Sequence, residues 1–252
     1  MVLGSILKKK QVKERKLVTK LYPQSAIAEQ YKTVRTNIQF ASPDHEIRSI
    51  MVTSPGPEEG KSTTAANLAL VFAQQGKRIL LVDADLRKPT IHYTFDVLNT
   101  VGLTTILVNR SSLVNTVLQT SDENLYILTS GPIPPNPSEL LASKAMEELI
   151  KEMCNEFDIV IFDTPPLLTV SDAKIIANRC DGTILVLSSG KTEVDQAIKA
   201  KEILQSATGT ILGVILNNVK LKKDKIIIIM AKIAIDEVIH TIIVTTHYIK
   251  EQ

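Results

Sequence analysis

A chain of 252 residues with 44% hydrophobic content can bury one sizeable α/β core, and a formal net charge of +2 gives bulk electrostatics no reason to seek nucleic acid. The first residues carry charge but no apolar stretch long enough for a signal peptide, and no segment approaches the ~20 uncharged apolar residues that span a bilayer. Two cysteines, Cys154 and Cys180, lack metal spacing and a disulfide framework and read as packing residues in a reducing cytoplasm, so a soluble protein is expected, reaching the membrane only through a partner.

Taken in order, residues 1–24 form a basic arm, with Lys8, Lys9, Lys10, Lys13, Arg15, Lys16 and Lys20. A helix is expected from Ser25, its N-cap, to Phe40, because Ile27, Tyr31, Val34 and Ile38 recur at helical spacing. Strands and helices then alternate. The expected strands are Ser49–Thr53, Arg78–Asp83, Leu125–Leu128, Asp158–Asp163, Thr183–Leu187 and Ile211–Leu216. Helices are expected near Ser62–Gln75, Pro137–Phe157 and Glu193–Ser206. Short apolar runs separated by helices predict a mostly parallel sheet covered on both faces, the α/β Rossmann-like architecture of P-loop NTPases. The domain is placed at 25–225, followed by an atypical tail at 226–252.

Thr53-Ser-Pro-Gly-Pro-Glu-Glu-Gly-Lys-Ser-Thr63 lies between the first strand and the helix after it, the setting a phosphate-binding loop requires. Backbone N–H groups of Pro57-Glu58-Glu59-Gly60-Lys61-Ser62-Thr63 would converge on phosphates, apart from the proline, which has none. Lys61 would reach the β- and γ-phosphates, and the Ser62 hydroxyl would bind Mg²⁺. The match departs from the full pattern, with Pro55 where the first glycine is expected and Gly56 one place later. Asp163 closes an apolar strand in the Walker B manner, as a metal-organising carboxylate. The second strand ends Asp83-Ala-Asp-Leu-Arg87, and alternation puts Asp83 and Asp85 on one side, where one carboxylate can serve Mg²⁺ and the other accept a proton.

These motifs, together with Ser130-Gly-Pro-Ile-Pro-Pro-Asn-Pro-Ser-Glu-Leu-Leu141 and Phe162-Asp-Thr-Pro-Pro166, resemble the bacterial tyrosine kinases of capsule and exopolysaccharide synthesis, in the cytoplasmic form of Gram-positive bacteria. The resemblance covers about Ser25 to Lys225. It implies tyrosine phosphorylation from ATP and Mg²⁺, including autophosphorylation, with Asp83 as base toward the tyrosine hydroxyl and Asp85 and Asp163 organising the metal. It also implies a membrane-bound chain-length regulator as activator, protein tyrosine substrates, and recruitment to the inner face of the plasma membrane. The family's ring-forming helix carries Glu-x-x-Arg-x-x-Arg; here Glu29, Lys32 and Arg35 stand there, with lysine lacking the planar fork. The family's Pro-Gly-Glu-Gly is here Pro57-Glu58-Glu59-Gly60. A positive φ at that position would cost Glu58 conformational energy and bring a repulsive charge toward phosphate.

The resemblance also implies a tyrosine cluster at the end of the chain, yet after Lys225 the sequence reads Ile226-Ile-Ile-Ile-Met-Ala231, with no tyrosine before Tyr248. TAT tyrosine codons followed by GGC-AAA, read one base out of register, encode that isoleucine run. The hypothesis is a frameshifted tail, and resequencing that finds no shifted tyrosine repeat would refute it. Two other functional readings stand beside the kinase. One is a positional ATPase of the partition type, which usually carries a second lysine early in the loop, whereas none lies between Arg48 and Lys61. The other is a catalytically weakened regulatory subunit of an export complex.

Overall fold

The computed structural model describes residues 17–41, 46–219 and 242–244. The short helix α1 (Val18–Leu21) precedes α2 (Ala26–Phe40), which leads through β1 (Ser49–Thr53) to α3 (Lys61–Ala73) and β2 (Ile79–Asp83). Three short helices follow, α4 (Ile91–Phe95), α5 (Leu103–Leu107) and α6 (Leu113–Thr116), then β3 (Leu118–Gln119) and β4 (Leu125–Leu128). The rest of the domain is α7 (Pro137–Ala142), α8 (Lys144–Glu156), β5 (Ile159–Asp163), α9 (Asp172–Ala177), β6 (Gly182–Ser188), α10 (Val194–Gln205) and β7 (Thr210–Asn217), with β8 (Ile242–Val244) beyond it.

The strands form one sheet in the order β3-β4-β2-β5-β1-β6-β7-β8, parallel throughout except for the antiparallel β3–β4 pair. Period-two alternation sorts its side chains into two cores. Met51, Leu80, Val82, Val160 and Phe162 pack with α5 and α7 to α10 on one face; Ile50, Val52, Leu81 and Ile161 pack with α2 and α3 on the other. Helix α3 is buried almost all round because the sheet covers one side and α2 the other, which accounts for its uninterrupted apolar and small residues.

Ser25 caps α2 as expected, its hydroxyl accepting from the Ala28 N–H. The expected helix over Pro137–Phe157 is two helices. Ser143 ends α7 and starts α8 in extended conformation, its hydroxyl accepting from the Met146 N–H, so the serine serves as a cap rather than a mid-helix residue. The end of the expected basic arm belongs to the folded body. Val18 and Thr19 are buried, and Thr19 donates from its N–H and its hydroxyl to Asn67 Oδ1 on α3. Most of the arm, and the tail apart from Ile242–Val244, lie outside the described residues. Among the described residues no helix is long and apolar enough to cross a membrane.

Candidate active site

Strands β2, β5 and β1 are adjacent and parallel, so their carboxyl ends deliver Asp83, Asp163 and the 54–61 loop to one edge of the sheet. Asp83 and Asp163 are direct register partners, and both are fully buried. Lys61, at the first position of α3, points its ammonium into this edge, 3.0 Å from Asp85 Oδ2 and 3.8 Å from Asp163 Oδ1. Burial works against the Lys61 charge, yet Asp163 and Asp85 together hold its pKa above the usual lysine value. Ser62 is buried beside it. The structure brings Lys61, Ser62, Asp83, Asp85 and Asp163 together at this edge.

The β2–α4 connection is folded around its own acids. Asp83 Oδ2 accepts from the Thr90 and Ile91 N–H groups at 2.8 and 2.9 Å, and Asp85 Oδ1 from the Lys88 N–H at 3.0 Å. Asp83 Oδ1 is buried and has no hydrogen-bond partner. Burial, with Asp163 alongside, pushes the Asp83 pKa up to about 7 against the pull of the two amides. A carboxyl of that kind can take a proton near neutral pH. Arg87 turns away from this cluster. It makes a two-pronged ion pair with Asp172 at the start of α9, at 2.8 and 3.1 Å, and reaches Ser138 on α7, which also donates to Asp172. Arg87 thereby joins the Asp83–Arg87 motif to the Pro135-Asn-Pro-Ser138 motif.

The loop residues are placed unevenly. Glu59 is buried, its carboxylate folded back onto the Gly56 N–H and the Thr192 hydroxyl. Pro57 and Glu58 are exposed. Glu58 takes φ 59°, the left-handed conformation that the sequence comparison of Pro57-Glu58 with Pro-Gly made a concern. Gly60 has φ 97°, and a Cβ there would lie 2.0 Å from Asn217 Nδ2, so glycine is required on both counts. Thr63 follows on the first turn of α3 and is partly exposed.

Three residues at this edge have little signal in the sequence: Lys191 and Thr192, in the β6–α10 turn, and Asn217, at the carboxyl end of β7. All three contact the phosphate loop, with Asn217 Nδ2 donating to the Glu59 carbonyl at 3.0 Å. Only Asn217 could have been noticed, as a polar residue closing an apolar parallel strand.

The helix expected to mediate ring formation lies on the opposite side of α3. Glu29 and Lys32 form an i,i+3 pair at 2.7 Å on the exposed face. Arg35 is partly buried, its Nη1 donating to the Val71 carbonyl near the end of α3 at 2.8 Å, and burial lowers its pKa despite Glu29. Glu29 and Lys32 therefore pair with each other toward solvent, whereas Arg35 is tied to α3. Of the tyrosines, Tyr31 is buried in the core, Tyr126 packs against Phe157, and Tyr22 and Tyr93 are exposed; Tyr248 lies outside the described residues.

Residues 58–192 match the family described as AAA domain. The chain is 57% identical over 210 residues to the tyrosine-protein kinase YwqD of Bacillus subtilis strain 168, covering 83% of this chain and 89% of that one. Among solved structures it resembles the chimerical protein CapA2B2, at 43% identity and a TM-score of 0.77 over 80% of this chain and 88% of that one. It also resembles the kinase domain of the Escherichia coli tyrosine kinase ETK, at 32% identity and a TM-score of 0.78 over 85% and 84%.

Proposed function

We propose that this chain, which belongs to the bacterial tyrosine-protein kinases, transfers the γ-phosphoryl group of ATP to protein tyrosines at the edge formed by Lys61, Asp83, Asp85 and Asp163. The observation that carries the reading is Asp83: a buried carboxyl with one oxygen lacking a hydrogen-bond partner and a pKa raised to about 7, beside a phosphate-type loop. In this reading Lys61 exchanges its carboxylate partners for the β- and γ-phosphates, and the amides of the 58–62 segment bind the phosphate oxygens. Asp83 Oδ1 takes the proton of the tyrosine hydroxyl as that oxygen attacks phosphorus, and the leaving group is ADP.

Ser62, Asp85 and Asp163 supply hard oxygen donors of the kind Mg²⁺ prefers, so the residues present fit a nucleotide-borne magnesium ion held directly or through water. When bound, that ion neutralises charge on the phosphates. Lys61 and the carboxylates are buried and fixed by their mutual contacts, the setting in which catalysis by preorganised charge is strongest.

The reading extends to regulation of capsular or exopolysaccharide synthesis. The activator would be the cytoplasmic end of a membrane-bound chain-length regulator, which brings the kinase to the inner face of the plasma membrane. Ring formation would run through Glu29, Lys32 and Arg35. The test is phosphotyrosine detection by mass spectrometry after incubating the chain with Mg-ATP, an activator tail fragment and a tyrosine-rich peptide, beside Lys61→Met. Peptide phosphorylation lost in that variant supports the kinase. Nucleotide-dependent assembly without phosphotransfer would favour the positional ATPase, and failure to bind ATP the regulatory subunit.

A further inference from the structure

We propose that Lys191 sets the phosphate loop from behind, as a positioning residue that makes Glu58 tolerable there. The inference rests on the nucleotide reading of the loop. Lys191 Nζ donates to the Pro57 carbonyl at 2.7 Å and to the Glu58 carbonyl at 3.2 Å, and lies 3.7 Å from Glu58 Oε2. Asn217 holds the next carbonyl, that of Glu59.

In a trans peptide the C=O and the following N–H point in opposite directions. No peptide bond among the described residues is cis. Tying the carbonyls of 57, 58 and 59 to one side therefore aims the N–H groups of Glu58, Glu59 and Gly60 to the other, as successive donors for an anion. The loop must hold this shape with Glu58 at φ 59°, which is disfavoured for any side chain bearing a Cβ. The Lys191 ammonium counters that cost at its source by bonding the peptides on both sides of the Glu58 Cα. It also sets a positive charge against a carboxylate that would otherwise repel phosphate. Lys191 is itself fixed by a tight turn: its N–H and that of Thr192 both donate to the Ser188 carbonyl, and Gly190 has φ 72°. Half-exposed and outside the Lys61–Asp85–Asp163 cluster, it acts through the loop.

The experiment is calorimetric titration of Mg-ADP into the full chain, as wild type, Lys191→Met, Lys191→Arg, Glu58→Gly and the Glu58→Gly/Lys191→Met double variant. Folding is checked by circular dichroism. Lys191→Met is expected to weaken Mg-ADP by about tenfold, the scale of one charge-assisted hydrogen bond, with Lys191→Arg recovering most of it. In the Glu58→Gly background, where glycine takes φ 59° freely and the carboxylate is gone, the same substitution should cost no more than about threefold. In kinase assays the loss should appear in KM for ATP and not in KM for the acceptor peptide.

Equal affinity of wild type and Lys191→Met, or an undiminished loss in the Glu58→Gly background, overturns the inference while leaving the nucleotide reading intact. A wild-type chain that does not bind Mg-ADP overturns both.

Discussion

Replacing Asp83 with asparagine should make the protein more stable at alkaline pH while removing its activity. The Asp83 pKa rises from 3.8 to about 7 on folding, so the folded state favours the neutral acid. The associated stability is fully present below the unfolded value, falls as pH rises, and is gone above the folded value. At about 1.36 kcal/mol per unit, ionised Asp83 costs the fold roughly 4 kcal/mol above neutrality. Asparagine avoids that cost: its oxygen can accept from the Thr90 and Ile91 N–H groups as Oδ2 does, and its NH₂ replaces the unpartnered Oδ1 next to Asp163. Urea unfolding without nucleotide should show a gain for Asp83→Asn that grows by nearly ~3 kcal/mol between about pH 5 and pH 8.5. Phosphotransfer should meanwhile fall by about 10²–10⁴. A stability difference that does not change with pH, or a variant less stable than wild type at pH 8.5, would refute the reasoning. For the same reason wild-type kcat/KM should rise with pH through about 7, because the base acts only when deprotonated.

Lys61→Met leaves two buried carboxylates without their cation. It should lower stability at neutral pH by about 3 kcal/mol and abolish the rise in Tm that Mg-ADP gives the wild type, both measured by thermal unfolding. Gly60→Ala meets both φ 97° and Asn217, and a loss of about 1–3 kcal/mol together with failed Mg-ADP binding is expected by calorimetry. Thr19→Val removes the hydroxyl hydrogen bond from α1 to the buried Asn67 and leaves the one donated by the backbone N–H. Destabilisation by about 0.5–1.5 kcal/mol, with faster proteolysis near residue 20, would establish that α1 is part of the cooperative unit; unchanged unfolding would deny it.

The six main strands and the phosphate loop are legible because each strand is a short apolar run that ends in, or is followed by, a polar residue at its carboxyl end. Asp83 and Asp163 advertise the site by their position alone. Helices α4, α5 and α6 escape notice because four or five residues cannot establish a helical period. Ser143 conceals a break because a serine inside an apolar-periodic run reads as a tolerated interior residue until its capping bond is seen. The effect of Glu58 was legible only as a condition on φ, and the condition is met. Lys191 and Asn217 act on residues more than a hundred positions away, which no local pattern encodes.

The knot of Arg87, Asp172 and Ser138 has a bearing on what the enzyme can accept. It fastens the segment carrying Asp83 and Asp85 to α7 and α9, while amides at 88, 90 and 91 fasten the acids themselves. A segment fixed at so many points does not remodel itself around an incoming tyrosine. With Asp83 as the proposed base, the accommodation would come from the acceptor, which would have to thread a phenol down to a fully buried carboxyl. Pliant, extended stretches of polypeptide can do this at little cost, whereas tyrosines embedded in helices or sheets cannot. Discrimination among target proteins would then depend less on residues flanking the tyrosine than on whether the surrounding chain is free to uncoil.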